Sequence, residues 1–471
     1  MIWLFLVRLA ACEQHIFQFI VHEAEQKGEV RINQHLPGPT IHAALGDTVI
    51  VDVLNFLDVD LRMVWHGINQ TPNPPGGLDL SQPPMRPKES ITYTFEASKV
   101  GSFYYQAQTD FMLSGYGTVL VEGDFDHLLD ISNHDPEYFH DAAVPIIISE
   151  AWASGQPKKD QPESFQINGK HKENYVLYAR DQHNYLLHII AATTQTRAFF
   201  WIEDHSFTVI MVDGTYIEPV DVDHVQIDPG QRIAVLIYST QHPKNYFMYV
   251  QDANANAVSI GILRYDRVPI PYSLLLHKPT SSRTFPPSRW IEDQLKTSSF
   301  YRDDFPPSNT TANILLNITQ DTLFHINRHD PKDTYSVRVG QDVQIVFQMY
   351  SKLNQACEST TWYLQGHSFH RVGSAEGTYD SSVLPLIDNY LASDEATTLL
   401  MDTFTHFPSD TLLYHEEMYF VETSKPPAGI SNCGWYAIRF KATNPGLWSL
   451  ESTILPHKTR GLHTKLLVHH Y

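Results

Sequence analysis

A short phrase, a glycine and a polar residue followed by alternating apolar strand residues, occurs three times along the chain. It reads Gly46-Asp47-Thr48-Val49-Ile50-Val51-Asp52-Val53, then Gly230-Gln231-Arg232-Ile233-Ala234-Val235, then Gly340-Gln341-Asp342-Val343-Gln344-Ile345. In the first copy Val49, Val51 and Val53 share one face of a strand, because successive side chains alternate sides. A second phrase also returns: Gly101-Ser102-Phe103-Tyr104-Tyr105 and Gly446-Leu447-Trp448-Ser449-Leu450, with Asn245-Tyr246-Phe247-Met248-Tyr249-Val250 between them lacking the glycine. The copies lie too far apart for a solenoid, whose repeats run roughly 20–50 residues. Three related β-sandwich domains are the natural reading. The 471 residues agree, at about 150 per domain.

Breaks in the alternation place the boundaries. Residues 13–124 form the first expected domain, 141–268 the second and 308–471 the third, with 1–12 as a short leader. The acidic, polar run from Gly123 to Asp141 links the first two. Val268 to Pro307, with seven prolines and few strand signals, links the next pair. Ser374 to Asp402 loses steady alternation and is expected to hold a helix or a long loop. Fold class is all-β.

Composition narrows the partners. A formal charge of −20 repels phosphate backbones, so a nucleic-acid binder is not expected. Apolar residues at 42% and charged ones at 18% suit packed cores rather than a disordered chain. A spanning helix needs about 20 consecutive apolar residues, and no stretch supplies them. Met1 to Cys12 resembles a secretory apolar region, although Arg8 interrupts it; an apolar first strand is the other reading. Glycosylation sequons at Asn69, Asn309 and Asn317 favour a secreted glycoprotein, with a cytoplasmic location as the alternative. Only Cys12, Cys357 and Cys433 occur, too few for a disulfide-dense scaffold or a Cys-rich metal site. Cys357 and Cys433 could pair in an oxidising compartment. No Walker-type loop or dinucleotide fingerprint occurs.

Several longer motifs carry a family resemblance. Pro37-Gly38-Pro39-Thr40, Gly46-Asp47, Trp65-His66-Gly67-Ile68 and Gly115-Tyr116-Gly117 resemble the first domain of multicopper oxidases such as laccases and ascorbate oxidases. Asp204-His205-Ser206-Phe207, Asp213-Gly214, Glu218-Pro219 and Pro229-Gly230-Gln231-Arg232 resemble the second. Leu364-Gln365-Gly366-His367-Ser368-Phe369, Gly434-Trp435, Asn444-Pro445-Gly446-Leu447-Trp448 and Ile454-Leu455-Pro456-His457 resemble the third. The fit is nearest to fungal ascorbate-oxidase-like members, through Gly373-Ser374-Ala375-Glu376-Gly377-Thr378-Tyr379-Asp380. The resemblance implies three consecutive cupredoxin-like Greek-key domains.

It also implies copper ligands, and here the chain departs. The family's first His-x-His-Gly reads Val64-Trp65-His66-Gly67, and the next His-x-His reads Gln106-Ala107-Gln108. In the third domain Thr360 stands where the blue-site His belongs, and Tyr363 and Gln365 where two cluster His belong. The final His-Cys-His reads Glu451-Ser452-Thr453. His457 keeps its imidazole, and Leu462 stands at the axial position. Amides, hydroxyls and phenols are poor copper ligands beside imidazole and thiolate. Copper is therefore not an expected cofactor.

Three functions follow from these departures. The first is a copper-depleted pseudoenzyme that binds a small phenolic or polyketide-like molecule, or a protein partner. The second is a metal-independent acid–base enzyme of secondary metabolism acting on a small aromatic substrate. The third is a residual laccase-like oxidoreductase. In the family geometry Val64, Gln106, Gln108, Tyr363, Gln365, Glu451 and Thr453 would line one cavity with His66. The plain expectation is polar groups bonding one another and buried water; the sharper one is a Glu451–His66 acid–base pair with a raised carboxyl pKa. His457 beside Thr360 and Ser452 would mark the former blue site; a hydroxyl beside a His suggests a nucleophile, but no Asp orienter is identifiable. His205 reads as structural, and the spacing of His367 and His370 would put them on opposite faces of a strand.

Overall fold

The computed structural model describes residues 12–24, 29–68, 84–109, 115–123, 142–152, 162–171, 173–253, 256–277, 283–285, 310–327, 334–353, 355–391, 400–401, 403–406 and 430–470. All of the expected leader except Cys12, most of the first linker and the sequons' Asn69 and Asn309 lie outside these residues. Among the described residues strands dominate, arranged in six sheets. Two four-stranded sheets fall within residues 14–122, a six- and a five-stranded sheet within 142–265, and another such pair within 312–469. This is the expected all-β, three-sandwich architecture.

Val49, Val51 and Val53 are fully buried, as their alternation requires. They pack with Phe19, Trp65, Phe95 and Tyr105 in the core of the first sandwich. The glycines that open the three copies, Gly46, Gly230 and Gly340, all have positive φ (92°, 93° and 84°), a conformation that favours glycine. The strands that follow are not all equivalent. Thr48–Asn55 and Asp342–Lys352 each pair in parallel with the first strand of their domain. In the second domain that parallel partner is Asn184–Ala191, whereas Arg232–Tyr238 is antiparallel to it. The middle copy thus repeats turn chemistry rather than position in the fold. The second phrase does repeat position: Gly101–Gln108, Asn245–Gln251 and Gly446–Ser452 each lie inside the second sheet of their domain.

Two details complete the frame. In the segment expected to hold a helix or loop, Leu384–Leu391 is helical, following a 3-10 turn whose Asp380 carboxylate accepts from Ser382 N. Ile387 packs there against Val346, Val372 and Trp435. Cys357 and Cys433 form a disulfide. Among the described residues no helix is long and apolar enough to cross a membrane.

The domains are tied by buried polar contacts. Arg232, 1% exposed, donates from Nε to Ser102 O of the first domain at 3.0 Å. The adjacent Asp213 carboxylate accepts from Arg232 N and from Thr403 N of the third. One charged pair in the second domain therefore fixes both neighbours.

Candidate functional site

A polar cavity lies where the three domains meet. Strand pairing builds its first wall. Arg62–His66 runs antiparallel to Gly101–Gln108, with His66 opposite Tyr104 and Val64 opposite Gln106. Alternation then puts His66, Tyr104, Gln106 and Gln108 on one face, and all four line the cavity. The opposite wall comes from the third domain, where Tyr363 pairs with Glu451 across two strands. Tyr363, Glu451, Ser452, Thr453, Leu455 and Lys458 line that side, and Thr193 and Thr194 of the second domain close it.

The structure brings His66, Gln106, Gln108, Tyr363, Glu451 and Thr453 to one cavity. Val64 and Gln365 are not among its lining residues. Val64 shares the face of Gln106 but carries no polar atom. Gln365 lies just past its strand, where its N–H donates to Ser449 O.

The side chains are strongly engaged. The His66 ring stacks on Tyr104 at 4.1 Å and meets Tyr363 at 5.2 Å. Gln108 Nε2 donates to Gln106 Oε1 at 2.7 Å. Tyr363 Oη accepts from Gly67 N at 3.2 Å and donates to Trp65 O at 3.4 Å, tying the third domain to the first. Glu451 accepts from Lys458 Nζ and from Ser449 Oγ, both at 2.6 Å.

The state of Glu451 differs from the sequence expectation. Burial pushes its carboxyl up, but the Lys458 ammonium, the two hydrogen bonds and the charge of Arg62 together hold it below the usual range. A carboxylate held in its charged form does not suit the role of proton donor that enclosure alone suggested. Lys458 lies seven residues beyond Glu451, on the short helix Leu455–Thr459. Its Leu455 N–H donates to Thr194 O of the second domain. Only the turn between strand and helix brings the ammonium back.

The Thr193–Thr196 loop is pinned by Glu150, which sequence reasoning missed. Its carboxylate accepts from Thr194 N, Thr194 Oγ1, Gln195 N and Thr196 N at 2.6–2.9 Å. Burial pushes this carboxyl above the usual range, against the pull of those four donors. The flanking text carries no motif that would have marked it.

A second cluster surrounds His457. Its Nε2 lies 3.0 Å from Glu358 Oε2. Glu358 also accepts from Arg460 Nη1 at 3.1 and 2.8 Å and from Gln320 Nε2 at 2.8 Å. His457 first, then Arg460, holds its carboxyl down to about 2. This is the acidic partner that the sequence did not reveal; its position beside the disulfide-bonded Cys357 was the one local hint. Thr360 Oγ1 accepts from Trp362 Nε1 at 3.1 Å, and Ser452 Oγ from Ile454 N at 3.2 Å. Leu462 is fully buried and donates its N–H to His457 O. Both hydroxyls are thus committed to the local frame.

The remaining histidines pack into the scaffold. His205 bonds Glu203 O at 2.7 Å and Tyr265 Oη at 3.0 Å. His367 sits among Phe440 and Trp448, and burial lowers its pKa to about 4. His370 lies in the strand Phe369–Ala375, opposite Arg439. Among the described residues no three His, Cys, Asp or Glu side chains converge as a metal-binding group.

Comparison with known proteins agrees with this architecture. Multicopper oxidase family models match residues 18–125, 137–267 and 304–470. Laccase-14 of Arabidopsis thaliana is 26% identical, over 93% of this chain and 86% of its own length. The L-ascorbate oxidase of Cucumis sativus is 24% identical, over 92% and 84%. Among solved structures, the multicopper oxidase Fet3p, which functions in iron import, superposes with a TM-score of 0.72 at 17% identity, covering 97% of this chain and 90% of that one. The laccase of Botrytis aclada gives 0.69 at 19% identity, over 97% and 88%. With all three domains matched in order over most of its length, the chain belongs to the multicopper oxidase family.

Proposed function

We propose that this chain is a copper-depleted member of its family, and that it binds a small molecule without copper redox chemistry. The donor set at the family's ligand positions supports this. Amides, hydroxyls and a phenol stand at most of them, with His66 and His457 keeping imidazoles. Such a set does not fit a four-copper centre, which needs convergent imidazoles and a thiolate. Cys357 and Cys433 are bonded to each other, and the remaining Cys12 is exposed at the start of the described chain.

The single observation that carries the reading is the Lys458–Glu451 ion pair in the cavity. An ammonium there repels a metal cation and neutralises the one carboxylate that faces it. Tyr363, at a position the resemblance assigns to a ligand, instead joins two domains through its phenol.

The cavity also narrows what could bind. Its volume is about 40 Å³, space for roughly three water-sized occupants at 10–15 Å³ each. A phenolic ring is too large for it, so a phenolic ligand would dock elsewhere.

Elemental analysis after incubation with copper tests the reading. Far less than one copper per chain, no blue thiolate–copper absorption and no dioxygen uptake are expected. Near-stoichiometric copper with dioxygen consumption would overturn it.

A metal-independent acid–base enzyme is the second reading, and the Glu358–His457 contact favours it over a Glu451–His66 pair. An imidazole oriented by a carboxylate is a general-base arrangement, whereas Glu451 is already committed to Lys458. His457→Ala, assayed against small aromatic esters and phenols, separates the two: a turnover that survives it removes this reading.

A further inference from the structure

The cavity at the domain junction presents several hydrogen-bond donors to its interior. Lys458 gives one N–H to Glu451, and an ammonium has two more. Gln108 gives one amide N–H to Gln106 and keeps another. Thr193 is 4% exposed, and its Oγ1 has no partner among the described residues; the Oγ1 of Thr453 has none there either. All four side chains line the same space. The Gln106 amide oxygen and the Glu451 carboxylate already hold donors: Gln106 Oε1 takes Gln108, and the two Glu451 oxygens take Lys458 and Ser449. Buried donors without partners are costly. A site of this kind selects an occupant made of acceptors.

Size and charge narrow the class. Room for roughly three water-sized positions matches a planar ion of three or four non-hydrogen atoms. The ammonium supplies charge-assisted hydrogen bonds, which are about twice as strong as neutral ones. We propose that the cavity is a binding site for a small planar monoanion of the formate, nitrate or bicarbonate class, held by Lys458 with the hydroxyls of Thr193 and Thr453. The proposal rests on the copper-depleted reading, because a metal cluster would fill the same space.

Glu451 gives the proposal a signature. Its carboxylate repels an incoming anion while competing for the same ammonium. Removing that charge strengthens anion binding, and removing Lys458 weakens it. A neutral occupant or plain water responds to neither change in this paired way.

The test is calorimetric titration of chelator-treated full-length protein with sodium formate and sodium nitrate at constant ionic strength, with copper measured on the same sample. Saturable binding is expected, about tenfold tighter in Glu451→Gln and at least about tenfold weaker in Lys458→Met. Thr193→Val and Thr453→Val, which keep side-chain shape and all charges, each weaken it several-fold and guard against a misfolded Lys458→Met. Benzoate carries the same head group on a ring and is expected not to bind. No saturable binding, indifference to both charge variants, or benzoate binding as tightly as formate would each overturn the proposal. Copper-free protein without formate binding defeats this inference alone; protein that retains copper defeats the reading beneath it.

Discussion

The phenol oxygen of Tyr363 accepts a hydrogen bond from the backbone N–H of Gly67, 296 residues away in sequence, at 3.2 Å. A second bond joins the same oxygen to Trp65 O, and the ring rests against His66. One side chain therefore spans the first and third domains beside the cavity.

Tyr363→Phe keeps the ring and removes both bonds, and should cost about 1 kcal/mol, the net value of a typical hydrogen bond. Tyr363→Ala also removes the buried ring and should cost about 3–5 kcal/mol. Three domains need not unfold in one step, so calorimetry with resolved transitions is the suitable measurement. An unchanged thermogram for Tyr363→Phe would mean that the phenol contributes nothing to docking.

Acid should weaken the His457 cluster. Glu358 titrates near 2 in the folded chain against 4.5 for a free carboxyl. A depressed carboxyl contributes stability that is complete above about pH 4.5 and is lost as pH falls toward 2. Its side chain is 35% exposed, so solvent screens part of the effect. Melting temperature followed from pH 6 downward should drop less steeply in Glu358→Gln than in the parent. Parallel acid limbs would show that the contacts with His457 and Arg460 carry no net free energy.

Glu150 should matter out of proportion to its distance from solvent. Glu150→Ala strips acceptors from three backbone N–H groups and one hydroxyl in the Thr194–Thr196 loop. Unsatisfied buried donors cost about 1–3 kcal/mol each, so a loss above about 3 kcal/mol is expected. Amide exchange at residues 194–196 should accelerate sharply, and protection equal to the parent's would show that another group holds the loop.

The Cys357–Cys433 bridge closes a separation of 76 residues. Cys357→Ala with Cys433→Ala should lower the stability of the third domain by about 2–5 kcal/mol, the range for removing a native disulfide. Denaturant titration with and without a thiol reductant checks it. The double variant should be insensitive to the reductant, and the parent sensitive.

Much of the site could be read in the chain before its fold was known. The family resemblance assigned His66, Gln106, Gln108, Tyr363, Glu451 and Thr453 to one cavity, and these six side chains line the polar cavity at the domain junction; alternation along paired strands fixes which of them share a face. Val64 and Gln365 are not in the cavity's lining, and Gln365 lies past the end of its strand. The raised pKa expected for Glu451 failed for a different reason. Enclosure was foreseen, but the ammonium that reverses its effect arrives on a separate helix, through a turn.

By itself the sequence determined the number of sandwiches, the buried faces of their strands and the chemistry available at each family position. These are properties of local periodicity and residue type, and they survive without knowledge of any partner. Tertiary structure alone decided which polar groups meet: Tyr363 with Gly67, Arg232 with Ser102, Lys458 with Glu451, Glu358 with His457. Hydrogen bonds and charges act over a few ångströms, so their sign and strength depend on neighbours that chain order does not specify.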